Sequence, residues 1–146
     1  MAIDIQPIST EQLSRLIGEA TGPAFLLGAV SGFVAVLMSR QNLVMDRIRT
    51  INAIDEAEDA RLHLKADLPR LRRRATLLNE AIYLAVGAAI CTTLLVIFGF
   101  GAAFFGLRHE PGAAIMFILA LGLMCTSLFN LAREVRMALT EYDHYR

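Results

Sequence analysis

Three long stretches without a charged side chain constrain this chain more than any other feature of its sequence. They are residues 23–38, 81–107 and 112–132, of 16, 27 and 21 residues, and the first reaches 19 residues when Ala20–Gly22 are added. A helix needs about 20 apolar residues to cross ~30 Å of hydrocarbon. A buried helix of a soluble protein rarely stays uncharged for so long. The stretches therefore predict an all-α integral membrane protein with three transmembrane helices.

The composition agrees with this prediction. Hydrophobic residues make up 55% of the chain and charged residues 19%, which leaves less polar surface than a soluble domain of this size needs. The same hydrophobicity excludes intrinsic disorder. Two cysteines exclude a disulfide scaffold, and a formal net charge of zero gives no basic field for nucleic acid.

The basic residues lie mostly on one side of the predicted spans. Twelve of the fourteen fall between the first two stretches or after the third, and only Arg15 and Arg108 fall on the other side. Because cytoplasmic loops retain Lys and Arg, we expect a multi-pass protein of the cell (inner) membrane. Its N-terminus should lie outside and its C-terminus in the cytoplasm. Acidic residues before the first span argue against a cleaved signal peptide.

Residues 9–20 have the pattern of an amphipathic helix. Ser9 and Gln12 have the spacing of a capping box, and an apolar stripe follows at helical spacing. Its members are Leu13, Leu16, Ile17 and Ala20. We expect this helix to lie flat at the outer interface, with a bend near Gly18 and Gly22. The alternative is a simple lead-in to the first span.

Residues 39–76 are predicted to form a cytoplasmic helical hairpin, because they contain no Gly and a single Pro. Two apolar stripes run along the segment, the second at heptad-like spacing. They are Val44, Ile48 and Ile51, then Leu64, Leu68, Leu71, Ala75 and Leu78. The stripes face each other only if the chain reverses between Asp55 and Pro69. Equal arm lengths favour a tip within residues 55–61, which makes Pro69 a kink or an early-turn residue.

The remaining boundaries complete a single membrane domain over residues 1–146. The predicted spans are 20–38, 77–106 and 112–132, and residues 133–146 form a cytoplasmic helical tail. A further apolar stripe predicts that the third span continues into this tail and packs against the hairpin. It consists of Leu131, Val135, Leu139 and Tyr142.

Three short motifs resemble a known family. They are Pro23-Ala24-Phe25-Leu26-Leu27, Asp46-Arg47-Ile48-Arg49, and Leu71-Arg72-Arg73-Arg74 followed by Leu77-Leu78-Asn79. Along nearly its full length, the chain resembles the bacterial membrane-protein family catalogued as domain of unknown function 2721. The resemblance implies a three-span protein with a cytoplasmic helical hairpin, and it brings no catalytic residues.

The sequence shows no pattern that predicts catalysis, a cofactor or a metal site. His63, His109 and His144 have no partner at ligand spacing on a buried face. Cys91 and Cys125 lie at different depths in their spans, so a disulfide within the chain is not expected. We therefore predict that the protein is not an enzyme.

Polar residues near the inner ends of the spans form the first candidate site, because burying them is costly. They could fix helix register through an ion pair and hydrogen bonds, form an ion or proton site, or simply face the headgroups. The residues are Arg40, Asn79, Glu80, Ser127, Asn130 and Arg133.

Small residues and arginines form two further candidates. Gly28 and Gly32 make a GxxxG motif, and Ala85 and Ala89 repeat its spacing. Such faces permit close helix packing, either within the chain or between protomers. An arginine cluster is predicted to anchor the second span to anionic headgroups. It comprises Arg70, Arg72, Arg73 and Arg74.

These features predict a non-enzymatic membrane protein with a structural or interaction role. It would act in the lipid bilayer as a homo-oligomer or as an accessory subunit of a larger membrane complex, without nucleic acid. The alternative is an oligomeric channel or ion-handling protein, with Glu80 or Asn130 lining the path. A pore should show a polar stripe along a whole span, whereas the third span is polar only at its inner end.

Overall fold

The fold is given by a computed structural model, which describes residues 9–54, 64–105 and 110–143. Within these ranges the chain is helical apart from short turns. The helices are α1 (Thr10–Asn52), α2 (Leu68–Phe104) and α3 (Glu110–Asp143). At 1.5 Å per residue they measure about 50–65 Å, so each is longer than the ~30 Å hydrocarbon core of a bilayer. All three are long and apolar enough to cross a membrane, which indicates the multi-pass membrane protein that the sequence predicted.

The helix α1 begins with the predicted capping box. The Ser9 backbone N–H donates to Gln12 Oε1, and the Gln12 backbone N–H donates to Ser9 Oγ, both at 3.2 Å. The helix then continues without a break through Gly18, Gly22 and Pro23. Residues 10–20 are therefore the first turns of α1, as in the lead-in alternative, and not a separate helix.

The chain reverses between α1 and α2. The helix α1 ends at Asn52, where the Ala53 N–H donates to the Arg49 carbonyl at 3.0 Å. Because α2 begins at Leu68, Pro69 lies in its first turn, where a missing N–H costs no helical hydrogen bond. The early-turn interpretation of Pro69 is thus confirmed. The predicted tip at residues 55–61 lies outside the described residues.

The helix α2 lies in the middle of the bundle. It packs against α1 and against α3, whereas α1 and α3 contact each other at few of the described positions. The two predicted stripes of the hairpin form the core between α1 and α2. Its buried members there are Val44, Ile48, Ile51, Leu71 and Leu78. The stripes therefore face each other, as the reversal of the chain requires.

Small side chains bring α2 and α3 close together. Ala81, Ala88 and Ala120 are all fully buried. Ser127 Oγ donates across this contact to the Ala81 carbonyl at 2.6 Å. In lipid, such small residues let helix backbones approach closely and form hydrogen bonds between helices.

The helix α3 buries a different stripe from the one predicted. Leu131 and Val135 are half-buried, but Leu139 is 63% exposed. The side chain of Tyr142 lies outside the described side chains. The buried positions beyond Ala120 are polar, namely Ser127, Asn130 and Glu134. The face of α3 that meets α2 is thus rotated away from the leucine stripe.

Candidate functional site

A carboxylate on α3 is fully buried between guanidinium groups from the other two helices. Glu134 has no exposed surface. Its Oε2 accepts from Arg40 Nε at 3.0 Å and Nη2 at 2.8 Å. Its Oε1 accepts from Arg74 Nε at 3.0 Å and Nη2 at 2.9 Å. We call these three residues the arginine–glutamate cluster.

The two arginines of the cluster compensate the buried negative charge of Glu134. Taking a carboxylate out of water costs several kcal/mol unless it is paired and hydrogen-bonded. Here each oxygen of Glu134 accepts two charge-assisted hydrogen bonds, which are about twice as strong as neutral ones. The Arg40 side chain is 35% exposed and the Arg74 side chain 14%. The carboxylate therefore joins α1, α2 and α3 at one level of the bundle.

A second arginine of α2 extends this contact. Arg70 Nη2 donates to the Met137 carbonyl of α3 at 2.9 Å. Arg70 precedes Arg74 by one turn, and Met137 follows Glu134 by one turn, as expected of antiparallel helices. Of the four predicted headgroup anchors, Arg70 and Arg74 thus make contacts within the chain. Arg72 and Arg73 are exposed.

The structure brings together only part of the predicted polar cluster. Arg40 binds Glu134, and Ser127 and Asn130 are buried on the same face of α3. The other members are exposed, namely Asn79, Glu80 and Arg133. Each of them is next to a buried residue in sequence, and one residue turns a helix face by about 100°. These three side chains therefore lie on the outer surface of the bundle and not between its helices.

Glu134 is the residue of this cluster that the sequence alone does not predict. It follows Arg133, at the end of an uncharged stretch, and it resembled an ordinary residue of a solvated tail. Ser127, Asn130 and Glu134 are spaced i, i+3 and i+7, which places them on one helix face. That polar stripe was the signal that could have identified it.

The two small-residue motifs lie in different surroundings. Ala85 is buried and Ala89 half-buried in the packing of α2. Gly28 and Gly32 lie on an exposed face of α1, where a Cβ added to either glycine would meet no atom within 4 Å. The GxxxG motif of α1 is therefore not covered by α2 or α3.

An open apolar groove of about 380 Å³ runs between α1 and α2. Its two hydroxyls are already bonded within their own helices, Ser31 to the Leu27 carbonyl and Thr93 to the Ala89 carbonyl, both at 2.9 Å. The rest of the lining is apolar and consists of Val30, Val34, Val86, Ala89, Ile90 and Leu94. The groove thus fits hydrocarbon and has little to recognise a polar ligand.

The chemistry available in the cluster is structural. A general acid or base must reach the proton that it transfers, whereas Glu134 is fully buried and each of its oxygens accepts from an arginine. Among the described residues, no group of three His, Cys, Asp or Glu side chains could hold a metal ion. The arrangement holds α1, α2 and α3 together through Glu134.

Comparison with known proteins identifies a family that matches this chain. A family model described as a protein of unknown function (DUF2721) matches residues 20–144. The matched range contains the whole arginine–glutamate cluster, and it confirms the family that the three motifs resembled. No curated protein and no solved structure matches the chain.

Proposed function

This chain belongs to the family DUF2721, whose description states no activity, and we propose from its geometry that it is a non-enzymatic membrane protein that acts by association. It associates with copies of itself or serves as an accessory subunit of a larger membrane complex. The observation that carries the proposal is the uncovered GxxxG face of α1, at Gly28 and Gly32.

Glycine on that face has a cost that the isolated chain does not offset. Within a helix, Gly is about 1 kcal/mol less favourable than Ala. Within the described residues, a Cβ added to Gly28 or Gly32 would meet no neighbouring helix within 4 Å. In lipid, a GxxxG face allows the backbones of two helices to approach closely, which offsets this cost. Packing against another molecule accounts for both glycines.

The central position of α2 leaves wide surfaces for such contacts. In each candidate span, only a small share of the most apolar window is buried within the chain. This share is 17% in α1, 22% in α2 and 11% in α3. The remaining surface of α1 includes Phe25, which is 77% exposed, and Val36, which is 53% exposed. Lipid can cover exposed apolar side chains such as these. The neighbouring glycines favour contact with another helix, because they permit close backbone approach.

The proposed orientation follows from the arginines. The N-terminus lies outside and the C-terminus in the cytoplasm of an inner membrane, since basic residues are retained on the cytoplasmic side. In this orientation the arginine–glutamate cluster lies at the cytoplasmic boundary of the hydrocarbon and fixes the helices there. The uncovered face at Gly28 and Gly32 lies within the bilayer.

Purification from native membranes tests the proposal. The tagged full chain is extracted in mild detergent, its protein mass is measured by light scattering, and the co-purifying proteins are identified by mass spectrometry. The proposal predicts a mass that is a multiple of the 16.0 kDa chain, or a stoichiometric companion subunit. A strictly monomeric particle without a companion would contradict it.

A further inference from the structure

We propose that the part of the Arg40 guanidinium not bound to Glu134 binds the phosphate of an anionic phospholipid. This inference rests on the proposed function in one respect, namely that the chain spans a membrane. It adds a ligand class and a residue that binds it.

Arg40 has donors to spare. It gives two N–H groups to Glu134 Oε2, and a guanidinium carries more donors than these. Arg40 makes no further hydrogen bond within the described residues, and 35% of its side chain is exposed. A guanidinium with unused donors matches the oxygens of a phosphate group, which it can bind in bidentate fashion.

The charge of the cluster also favours an anion. Arg40 and Arg74 carry two positive charges against the single negative charge of Glu134, so the three residues have an excess of one positive charge. Arg47 lies two turns further along the same face of α1 and is exposed. An anion beside Arg40 would therefore be attracted by the excess charge of the cluster and by Arg47.

The depth of Arg40 identifies the anion. Residues 20–39 are uncharged, and Arg40 is the first charged residue after them. Twenty helical residues span about 30 Å, the thickness of the hydrocarbon core. Arg40 therefore lies at the level of the lipid phosphates. Basic groups between helices at this level are typical binding sites for anionic headgroups.

Native mass spectrometry of the full chain in detergent tests this site. The protein is titrated with phosphatidylglycerol or with zwitterionic phosphatidylcholine. We expect the wild type to bind phosphatidylglycerol about fivefold more tightly or better, which is the gain expected of one arginine near an anionic headgroup. Arg40→Gln should lose this preference. Arg49→Gln removes the same charge from an exposed position on α1 and should keep it.

Three outcomes would overturn the proposal. Equal binding of both lipids by the wild type would overturn it regardless of how the variants behave. Circular dichroism checks that the variants are folded. Equal losses in Arg40→Gln and Arg49→Gln would indicate diffuse surface charge. Displacement of the lipid by millimolar inorganic phosphate would indicate a site for free phosphate. The same spectra report the mass of the protein assembly separately, so loss of lipid preference is distinct from failure of association.

Discussion

Glu134 Oε2 accepts a hydrogen bond from Arg40 Nη2 at 2.8 Å, which joins the last helix to the first across 94 positions of sequence. In the part of the chain that the structure describes, α1 and α3 otherwise meet at few positions, because α2 lies between them. Arg74 of α2 occupies the other carboxylate oxygen at 2.9 Å. A single buried side chain thus links all three helices.

Replacing Glu134 is expected to destabilise the bundle strongly. Glu134→Ala leaves Arg40 and Arg74 partly buried without their carboxylate, and breaking such a buried pair costs about 3–5 kcal/mol. The free energy of unfolding is measured by titration with SDS in mixed micelles, followed by circular dichroism. The matched control is Glu80→Ala, since Glu80 is an exposed carboxylate on α2. Its effect should stay within about 0.5 kcal/mol, and equal losses would contradict the structural role of Glu134.

The hydroxyl of Ser127 is expected to stabilise the contact between α2 and α3. It donates to the Ala81 carbonyl at 2.6 Å, and hydrogen bonds between membrane helices contribute about 0.6 kcal/mol on average. Ser127→Ala should lower the free energy of unfolding by about this amount. Thr126→Ala is the control, because Thr126 is exposed and donates to Gly122 of its own helix. A larger effect at Thr126 than at Ser127 would argue against the packing of α3.

Bulk added at the GxxxG face is expected to abolish association without disturbing the fold. A Cβ at Gly32 would meet no atom within 4 Å, so Gly32→Leu should keep the helical content and should not lower the unfolding free energy. It should nevertheless reduce the mass of the detergent-solubilised particle to that of one chain. Gly122→Leu is the control, since Gly122 on α3 is equally open and lies outside the motif. Persistence of the complex in Gly32→Leu would show that this face is not the contact.

Reporter fusions are expected to place both the arginines and the C-terminus in the cytoplasm. A fluorescent protein fused after Arg146 should fluoresce, and alkaline phosphatase fused at the same point should be inactive, because arginine-rich flanks are retained inside. The chain should also stay with the membrane during alkaline carbonate washing. An active phosphatase fusion, or release of the chain by carbonate, would contradict the proposed topology.

Much of the fold was readable from local patterns. The capping box at Ser9, the first-turn position of Pro69 and each separate apolar stripe of the hairpin depend on residues close together in sequence. Hydrophobic periodicity is strong in long helices, and a missing N–H limits where Pro fits. These rules do not need the position of any other helix.

The candidate site was only partly readable, because it depends on helix rotation. The predicted polar cluster includes Ser127 and Asn130, which are buried. It also includes Arg133 and Glu80, which are exposed. Which polar residue faces inward is decided by the partner helix, and an error of one residue turns the face by about 100°. The buried carboxylate of Glu134 is paired by Arg40 of α1 and Arg74 of α2. Because these partners are distant in sequence, no local pattern predicts the pairing.

Photo-crosslinking in native membranes tests the central claim, association through the GxxxG face of α1, most directly. Phe25 lies on that face at helical spacing from Gly28 and Gly32 and is 77% exposed. Benzoylphenylalanine incorporated at position 25 is predicted to give an adduct with a second chain or with one companion protein. At position 129, where Phe129 of α3 is 63% exposed, it should not give that adduct. Lipid adducts alone at position 25, or the same protein adduct at both positions, would contradict the claim.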